Sequence, residues 1–304
     1  MRAVITGGTG FVAGHLVQHL LEKGDEILLI NRSTTSPQNP PALLWDIRSA
    51  PGASVVAQVQ EFDPDVIFHL AAISVRALCG ETQPSSDAQA VNVQGTSHVI
   101  ELCTKLRQPP LLIFTSSVYV YGSRRSRSEQ VSEITTPIPD NGYGKSKLAA
   151  EALLQQTSGA VPWVIARSFQ HSGPGQAGSL LIPEWIHKLR NCDTTLNVRN
   201  LDSWIDICDA RDVVRAYRML ADPRYAREIF NVGSGRATRS GDILSTLQTL
   251  LGVHCPIEES QPGTHYLPIA DVSRIQDRVG WQTTISIEQM LKDCIASSPP
   301  AVEN

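Results

Sequence analysis

Tyr143-Gly144-Lys145-Ser146-Lys147 sets a phenol and an ammonium one turn apart on the same face of a helix. A free phenol titrates near about 10, and a cation held beside it favours the phenolate. The spacing therefore predicts that Lys147 lowers the pKa of Tyr143 and makes it a usable general acid or base. Upstream, an apolar run ends in Thr115-Ser116-Ser117, a strand end that could bring a hydroxyl to the substrate carbonyl that Tyr143 would serve.

A second motif supplies a partner for that chemistry. Thr6-Gly7-Gly8-Thr9-Gly10-Phe11-Val12-Ala13-Gly14 follows the first apolar run and opens directly into a helical pattern. A strand, a glycine turn and a helix N-terminus place backbone N–H groups where a pyrophosphate can sit. Ala13 takes the third glycine position and is small enough for the helix to pack. The next apolar run ends at Asn31-Arg32. A carboxylate there would hold the ribose 2′-hydroxyl of NAD, whereas an arginine accommodates a 2′-phosphate. The expectation is NADP(H) preferred, with NAD(H) possible.

These residues need a frame. Apolar runs at Arg2–Thr6, Glu26–Asn31, Val66–Leu70, Leu111–Thr115 and Trp163–Arg167 alternate with helical stretches near Val12–Lys23, Ala88–Leu106 and Tyr143–Thr157. That alternation predicts an α/β protein with a Rossmann-type, doubly wound parallel sheet. After residue 167 the elements shorten, Trp204–Leu220 returns to core-like character, and Ile229–Gly233 reads as one more strand. The expected division is a dinucleotide-binding domain of residues 1–167 plus about 202–235. A smaller, interleaved C-terminal α/β substrate domain takes 168–201 plus 236–298.

Composition narrows the function classes. The 304 residues are 41% hydrophobic and 18% charged, which suits a globular chain with a sizeable core. Net charge −4 and 6% aromatics argue against a nucleic-acid partner, which calls for a basic and stacking surface. The six cysteines show no CxxC pair and no metal-ligand spacing, so no metal is expected and all six read as thiols of a reducing compartment. The longest uncharged apolar stretch, Val66 to Val75, is too short to cross a membrane. With the glycine loop beginning at residue 7, where a signal region would sit, a cytoplasmic protein is expected.

Together TGGTGFVAGHL (6–16), WDI (45–47), FHLAAIS (68–74), VNVQGT (91–96), FTSSVYVYG (114–122) and YGKSK (143–147) resemble the extended short-chain dehydrogenase/reductase family, the NAD-dependent epimerases and dehydratases. The resemblance continues through RSFQHSGPGQ (167–176), DARDVVRAY (209–217), FNVGSG (230–235), DVSRI (271–275) and GWQ (280–282). It is nearest to members that reduce GDP-4-keto-6-deoxymannose. It implies Ser117, Tyr143 and Lys147 as catalytic residues, with Lys147 also holding the nicotinamide ribose. It implies cofactor contacts at Gly7, Gly10, Phe11, Val12, Asn31, Arg32, Asp46, Ile47, Leu70, Ala71, Ala72 and Phe169. Substrate contacts are expected at Ser117, Tyr119, Gln170, His171 and Arg199. A homodimer paired through the helices near Ala88–Leu106 and Tyr143–Thr157 is implied as well.

Several departures bear on the reaction. The family's dehydratases carry a carboxylate just after the catalytic Ser or Thr, where this chain has Val118 and Tyr119. Its galactose-type epimerases hold NAD through an acid at the Asn31 position. A ketoreductase acting on a nucleotide-sugar-like substrate therefore fits best, ahead of an alcohol dehydrogenase, and both ahead of an epimerase or a non-catalytic regulator. The two arginines that clamp a substrate diphosphate are replaced by Ile205 and Gln261, and the usual Asn by Gln170. Arg199, or the basic run Arg124–Arg127, could supply a replacement cation, or the substrate could be a sugar or ketone without a diphosphate.

Overall fold

A computed structural model describes residues 1–33, 40–123, 129–192 and 194–298. Strand β1 (Arg2–Thr6) leads into helix α1 (Phe11–Glu22), then β2 (Glu26–Asn31), β3 (Ala42–Leu44), α2 (Ala53–Phe62) and β4 (Val66–His69). A helical turn α3 (Ser86–Ala88), α4 (Gly95–Lys105), β5 (Leu111–Ser117), β6 (Gln130–Val131), α5 (Gly142–Gln155) and β7 (Trp163–Ser168) follow. Beyond it come β8 (Gln170–Ser172), α6 (Leu181–Arg190), β9 (Leu196–Val198), β10 (Ser203–Ile205), β11 (Ile207–Asp209), α7 (Ala210–Leu220) and β12 (Glu228–Val232). The chain closes with β13 (Thr238–Arg239), α8 (Ser240–Leu251), β14 (Ile257–Glu259), β15 (His265–Tyr266), β16 (Ile269–Ala270), α9 (Ser273–Val279) and α10 (Ile287–Ser297).

Seven strands form one parallel sheet in the order β12-β7-β5-β4-β1-β2-β3. Both faces are covered, which is why its strands read as continuous apolar runs instead of alternating ones. Ala3 and Ile5 pack with Leu16 and Leu20 of α1 and with Val213 and Tyr217 of α7. Val4, facing the other way, belongs with Val59 of α2, Val99 of α4 and Leu154 of α5. A third apolar cluster joins α6, β9, β10, β11, α8 and α10 beyond the sheet. Among the described residues no helix is long and apolar enough to cross a membrane.

The stretch expected as one helix over 88–106 is different. Gln89–Gln94 is a π-helical segment between α3 and α4. The wide turn lets the buried Asn92 accept from Ile73 N at 2.8 Å and donate to Ser146 Oγ at 3.0 Å, tying the loop after β4 to α5. Helix α2 and the short β3 carry no strong pattern and were not among the expected elements.

Candidate active site

The strand order reverses at β1: the chain runs outward to β3 and returns beyond β1 to β4. Such a switch opens a crevice at the carboxyl ends of the strands. Gly7 sits there at φ +73°, and a Cβ on it would lie 2.8 Å from Ala71 Cα. The loops after β1 and β4 therefore meet only if residue 7 is glycine. Gly10 caps α1 without any side-chain cap bond, and the first turn holds no acid. Its N–H groups and positive dipole end suit an anion.

A cavity of about 320 Å³ beside this turn is lined by Gly7, Asn31, Arg32, Asp46, Ile47, Ala71 and Ala72, all expected cofactor contacts. Asn31 is buried and Arg32 exposed. Sequence reasoning missed Arg48 in the same wall. Its Nη2 donates to Asp46 Oδ2 at 2.6 Å, and this bond, more than the field of Arg32, holds the Asp46 carboxyl below its usual range. Gly10 and Phe11 line neither this cavity nor the next. A glycine cradle, an uncapped helix start and a cationic edge fit a dinucleotide.

Val12, Leu70, Ala72 and Phe169 line a second cavity, of about 660 Å³, together with Ser117, Tyr143 and Lys147. Asn141 caps α5 by accepting from Gly144 N at 3.0 Å. A side chain at residue 144 would collide with the Tyr119 carbonyl, so Gly144 lets α5 start hard against the turn that follows β5. That contact brings Tyr143 to Ser117. Lys147, 2% exposed, donates from Nζ to Thr115 O at 2.8 Å and lies 4.9 Å from the centre of the Phe114 ring.

Burial pulls the Lys147 pKa down to about 8, with Cys79 and Glu151 opposing it. The expected lowering of Tyr143 is corrected: burial pushes its pKa up, and the hydrogen bond with Ser117 only partly offsets this. The phenol is 8% exposed in an apolar pocket with Cys79 and Ala88, and desolvation outweighs any help from the ammonium, which is committed to Thr115. His69 is structural. Thr6 Oγ1 and Thr96 Oγ1 hold its ring nitrogens at 2.7 and 3.0 Å, and burial pushes its pKa down to about 3.

Ser117, Tyr119, Gln170, His171 and Arg199 all line the larger cavity. Tyr119 packs edge-on against Tyr143, with ring centres 5.9 Å apart. His171 Nδ1 donates to Phe169 O at 2.8 Å, since a carbonyl can only accept, and burial lowers its pKa. Gln170 keeps its amide atoms buried, with no hydrogen-bond partner for either among the described residues. Arg199 Nε donates to Gln261 Oε1 at 2.8 Å, so Gln261 orients one guanidinium in the place of supplying another. Ile205, buried beside Ile207 and Trp185, makes that end of the wall apolar. Arg76 also lines the cavity, with its guanidinium 5.8 Å from the Tyr119 ring centre. It lies in the loop after β4, where no periodicity marks it. Among the described residues neither Arg76 nor Arg199 forms an ion pair. Arg124–Arg127 lie outside the described residues.

The reading of six free thiols is also corrected. Cys192 and Cys255 form a disulfide, with Cα atoms 6.6 Å apart. Parallel pairing of Leu196 in β9 with Ile257 in β14 brings together the two segments that lead into them. A separation of 63 residues hides this in the sequence. Cys79, Cys103, Cys208 and Cys294 are free and buried.

Among curated proteins, the chain is 26% identical to a GDP-6-deoxy-D-mannose reductase of Pseudomonas aeruginosa, over 96% of this chain and 95% of that protein. It is also 26% identical to a dTDP-6-deoxy-L-talose 4-dehydrogenase (NAD(P)(+)) of Kitasatospora kifunensis, covering 96% and 94%. Its fold matches a Bacillus cereus UDP-glucuronic acid 4-epimerase solved with UDP-glucuronic acid and NAD, at TM-score 0.84, 22% identity and 98% of both chains. Residues 3–233 match the family described as NAD dependent epimerase/dehydratase. The chain belongs to the NAD-dependent epimerase/dehydratase family.

Proposed function

We propose that this enzyme is an NADP(H)-preferring reductase of a keto group on a nucleotide-sugar-like substrate, a 4-ketoreductase. The observation that carries the reading is a single cavity that joins Ser117, Tyr143 and Lys147 to Arg199, a cation without a carboxylate partner among the described residues. When bound, the nicotinamide supplies the hydride for the carbonyl carbon. Tyr143 gives its proton to the carbonyl oxygen while Ser117 donates a hydrogen bond to that oxygen. Lys147 as an ammonium favours the phenolate that remains. Burial suits this direction, because a tyrosine with a raised pKa holds its proton until a basic oxygen arrives.

Val118 and Tyr119, in place of a carboxylate, support reduction over dehydration, and Asn31 with Arg32 supports NADP over a tightly held NAD. The 26% identity to a reductase and a 4-dehydrogenase is consistent with this, each over nearly the whole chain. A second reading rests on Ile205: with an apolar residue where one arginine of a diphosphate clamp is expected, the substrate is a sugar or ketone without a diphosphate. Thermal-shift measurements on NADP-loaded protein with GDP, UDP and dTDP at low salt decide between them. A rise in melting temperature with one nucleotide, erased by high salt, supports the first reading. No shift with any of the three at millimolar concentration overturns it in favour of the second.

A further inference from the structure

Behind the candidate catalytic residues lies a charged pair that touches neither cavity. Glu151 and Arg167 are 1% and 3% exposed and meet in a fork: Arg167 Nε donates to Glu151 Oε1 at 3.1 Å and Nη2 to Oε2 at 2.7 Å. Arg167 Nη1 continues to Tyr121 OH at 3.0 Å, and that hydroxyl donates to Asn231 Oδ1 at 2.7 Å. Every member is buried. Removing either charge strands the other, so the pair is costly to keep unless its position is used.

Its position is specific. Glu151 stands one turn after Lys147 on α5, and Oε1 also accepts from Ser116 Oγ at 2.5 Å. Ser116 is flanked by Thr115, whose carbonyl holds Lys147, and by Ser117. One carboxylate thus joins the helix that carries Tyr143 and Lys147 to the strand end that carries Ser117. The titratable groups whose fields reach Lys147 are Glu151 on its own helix, His69 on β4 and the Cys79 thiol on the loop after it. His69 is neutral, and burial keeps Cys79 a thiol. Glu151 is the anion of this set.

We infer that Glu151 is a positioning residue: its carboxylate fixes Ser116, and through it Thr115 and Ser117, against α5, and it is the anion one turn along that helix from the buried Lys147 ammonium. The carboxylate acts through Lys147 and Ser116 and touches no substrate atom. The inference rests on the catalytic assignment of Tyr143 and Lys147, and not on the identity of the substrate.

The test titrates Lys147 directly. The chain has only six lysines, so ¹³Cε-lysine NMR of the NADP-loaded protein resolves them, and Lys147→Arg identifies the resonance. Lys147 is cationic below its midpoint and neutral above it. Glu151→Gln removes the attraction that sustains the cation, so the midpoint falls. A purely structural role lowers the melting temperature and leaves the midpoint in place. That result overturns the inference. If Glu151→Gln alone does not fold, the double variant with Arg167→Gln removes the pair as a unit and is expected to lower the midpoint as well, because Glu151 stands one turn from Lys147 on α5 whereas Arg167 stands on β7 and bonds Glu151. An unchanged midpoint in the double variant likewise overturns it. Neither experiment uses a substrate, so a failed nucleotide screen leaves this result standing.

Discussion

The candidate cofactor side and the candidate substrate side of this molecule are built in different ways. The candidate cofactor cradle is made from the segments that follow consecutive strands of the sheet: the glycine turn after β1, residues 31–33 at the end of β2, 45–48 after β3 and 71–73 after β4. One side of it is backbone and small residues, Gly7, Ala71 and Ala72, and the other carries Arg32, Asp46 and Arg48. The candidate substrate wall is assembled from β8, the start of α6, the end of β9, and β10 and β11, strands of three residues each. Its polar groups are long side chains such as Arg199, oriented by other side chains from far along the chain. The first kind of site tolerates little change, and the second can be refitted to a new ligand by exchanging a few side chains.

The largest expected effect lies where the two sides meet. Tyr143→Phe removes one oxygen and should lower turnover by a factor on the order of 10²–10⁴ while NADPH affinity stays within about twofold. Steady-state rates with the confirmed substrate, and calorimetric titration with NADPH, measure the two halves separately. Retained turnover would show that the two sides do not meet at Tyr143.

The staple of the substrate wall comes next. Reducing Cys192–Cys255, or replacing both with Ser, should lower unfolding free energy by about 2–4 kcal/mol in urea titrations. Equal stability with and without dithiothreitol would mean that β9–β14 pairing alone holds the wall. Arg199→Met should weaken a bound nucleotide by roughly 10- to 150-fold, the worth of a charge-assisted contact, and leave NADPH binding unchanged. An unchanged nucleotide Kd would move the anion site elsewhere on the wall. The smallest effect belongs to the exposed Arg32. Arg32→Ala should cost NADPH up to about fivefold in affinity and NADH nothing measurable. Tighter NADH than NADPH binding by the unaltered protein would reverse the cofactor preference.

This contrast also explains what could be read in the sequence. The six apolar runs expected as strands are β1, β2, β4, β5, β7 and β12, because a sheet buried on both faces writes its position as uninterrupted apolar residues. Gly7 and the Tyr143–Lys147 spacing were legible because each encodes a local geometry. Contacts between distant segments were not. Nothing near Cys192 announces Cys255, and Arg199 with Gln261 reads as two unrelated polar residues until β9 and β14 pair. The raised pKa of Tyr143 escaped for the same reason: the spacing of Tyr143 and Lys147 is visible, but the burial that outweighs the ammonium comes from the 70s loop and α3. Arg48, Arg76 and Glu151 lie in or beside motifs, yet only the packed structure shows what each faces.

The seventh strand of the sheet gives the protein a schedule for its own synthesis. Until β12 is made, the fully buried strand β7 is the edge of the sheet, with its hydrogen-bonding groups unpaired. The intervening stretch of about 60 residues takes roughly 3–12 s to translate at 5–20 residues per second. For that time the nascent chain presents Trp163–Ser168 as an open, apolar edge, the kind that recruits another strand. A ribosome that pauses after β8 lengthens this exposure, and one that terminates there releases a fragment which no later folding can repair.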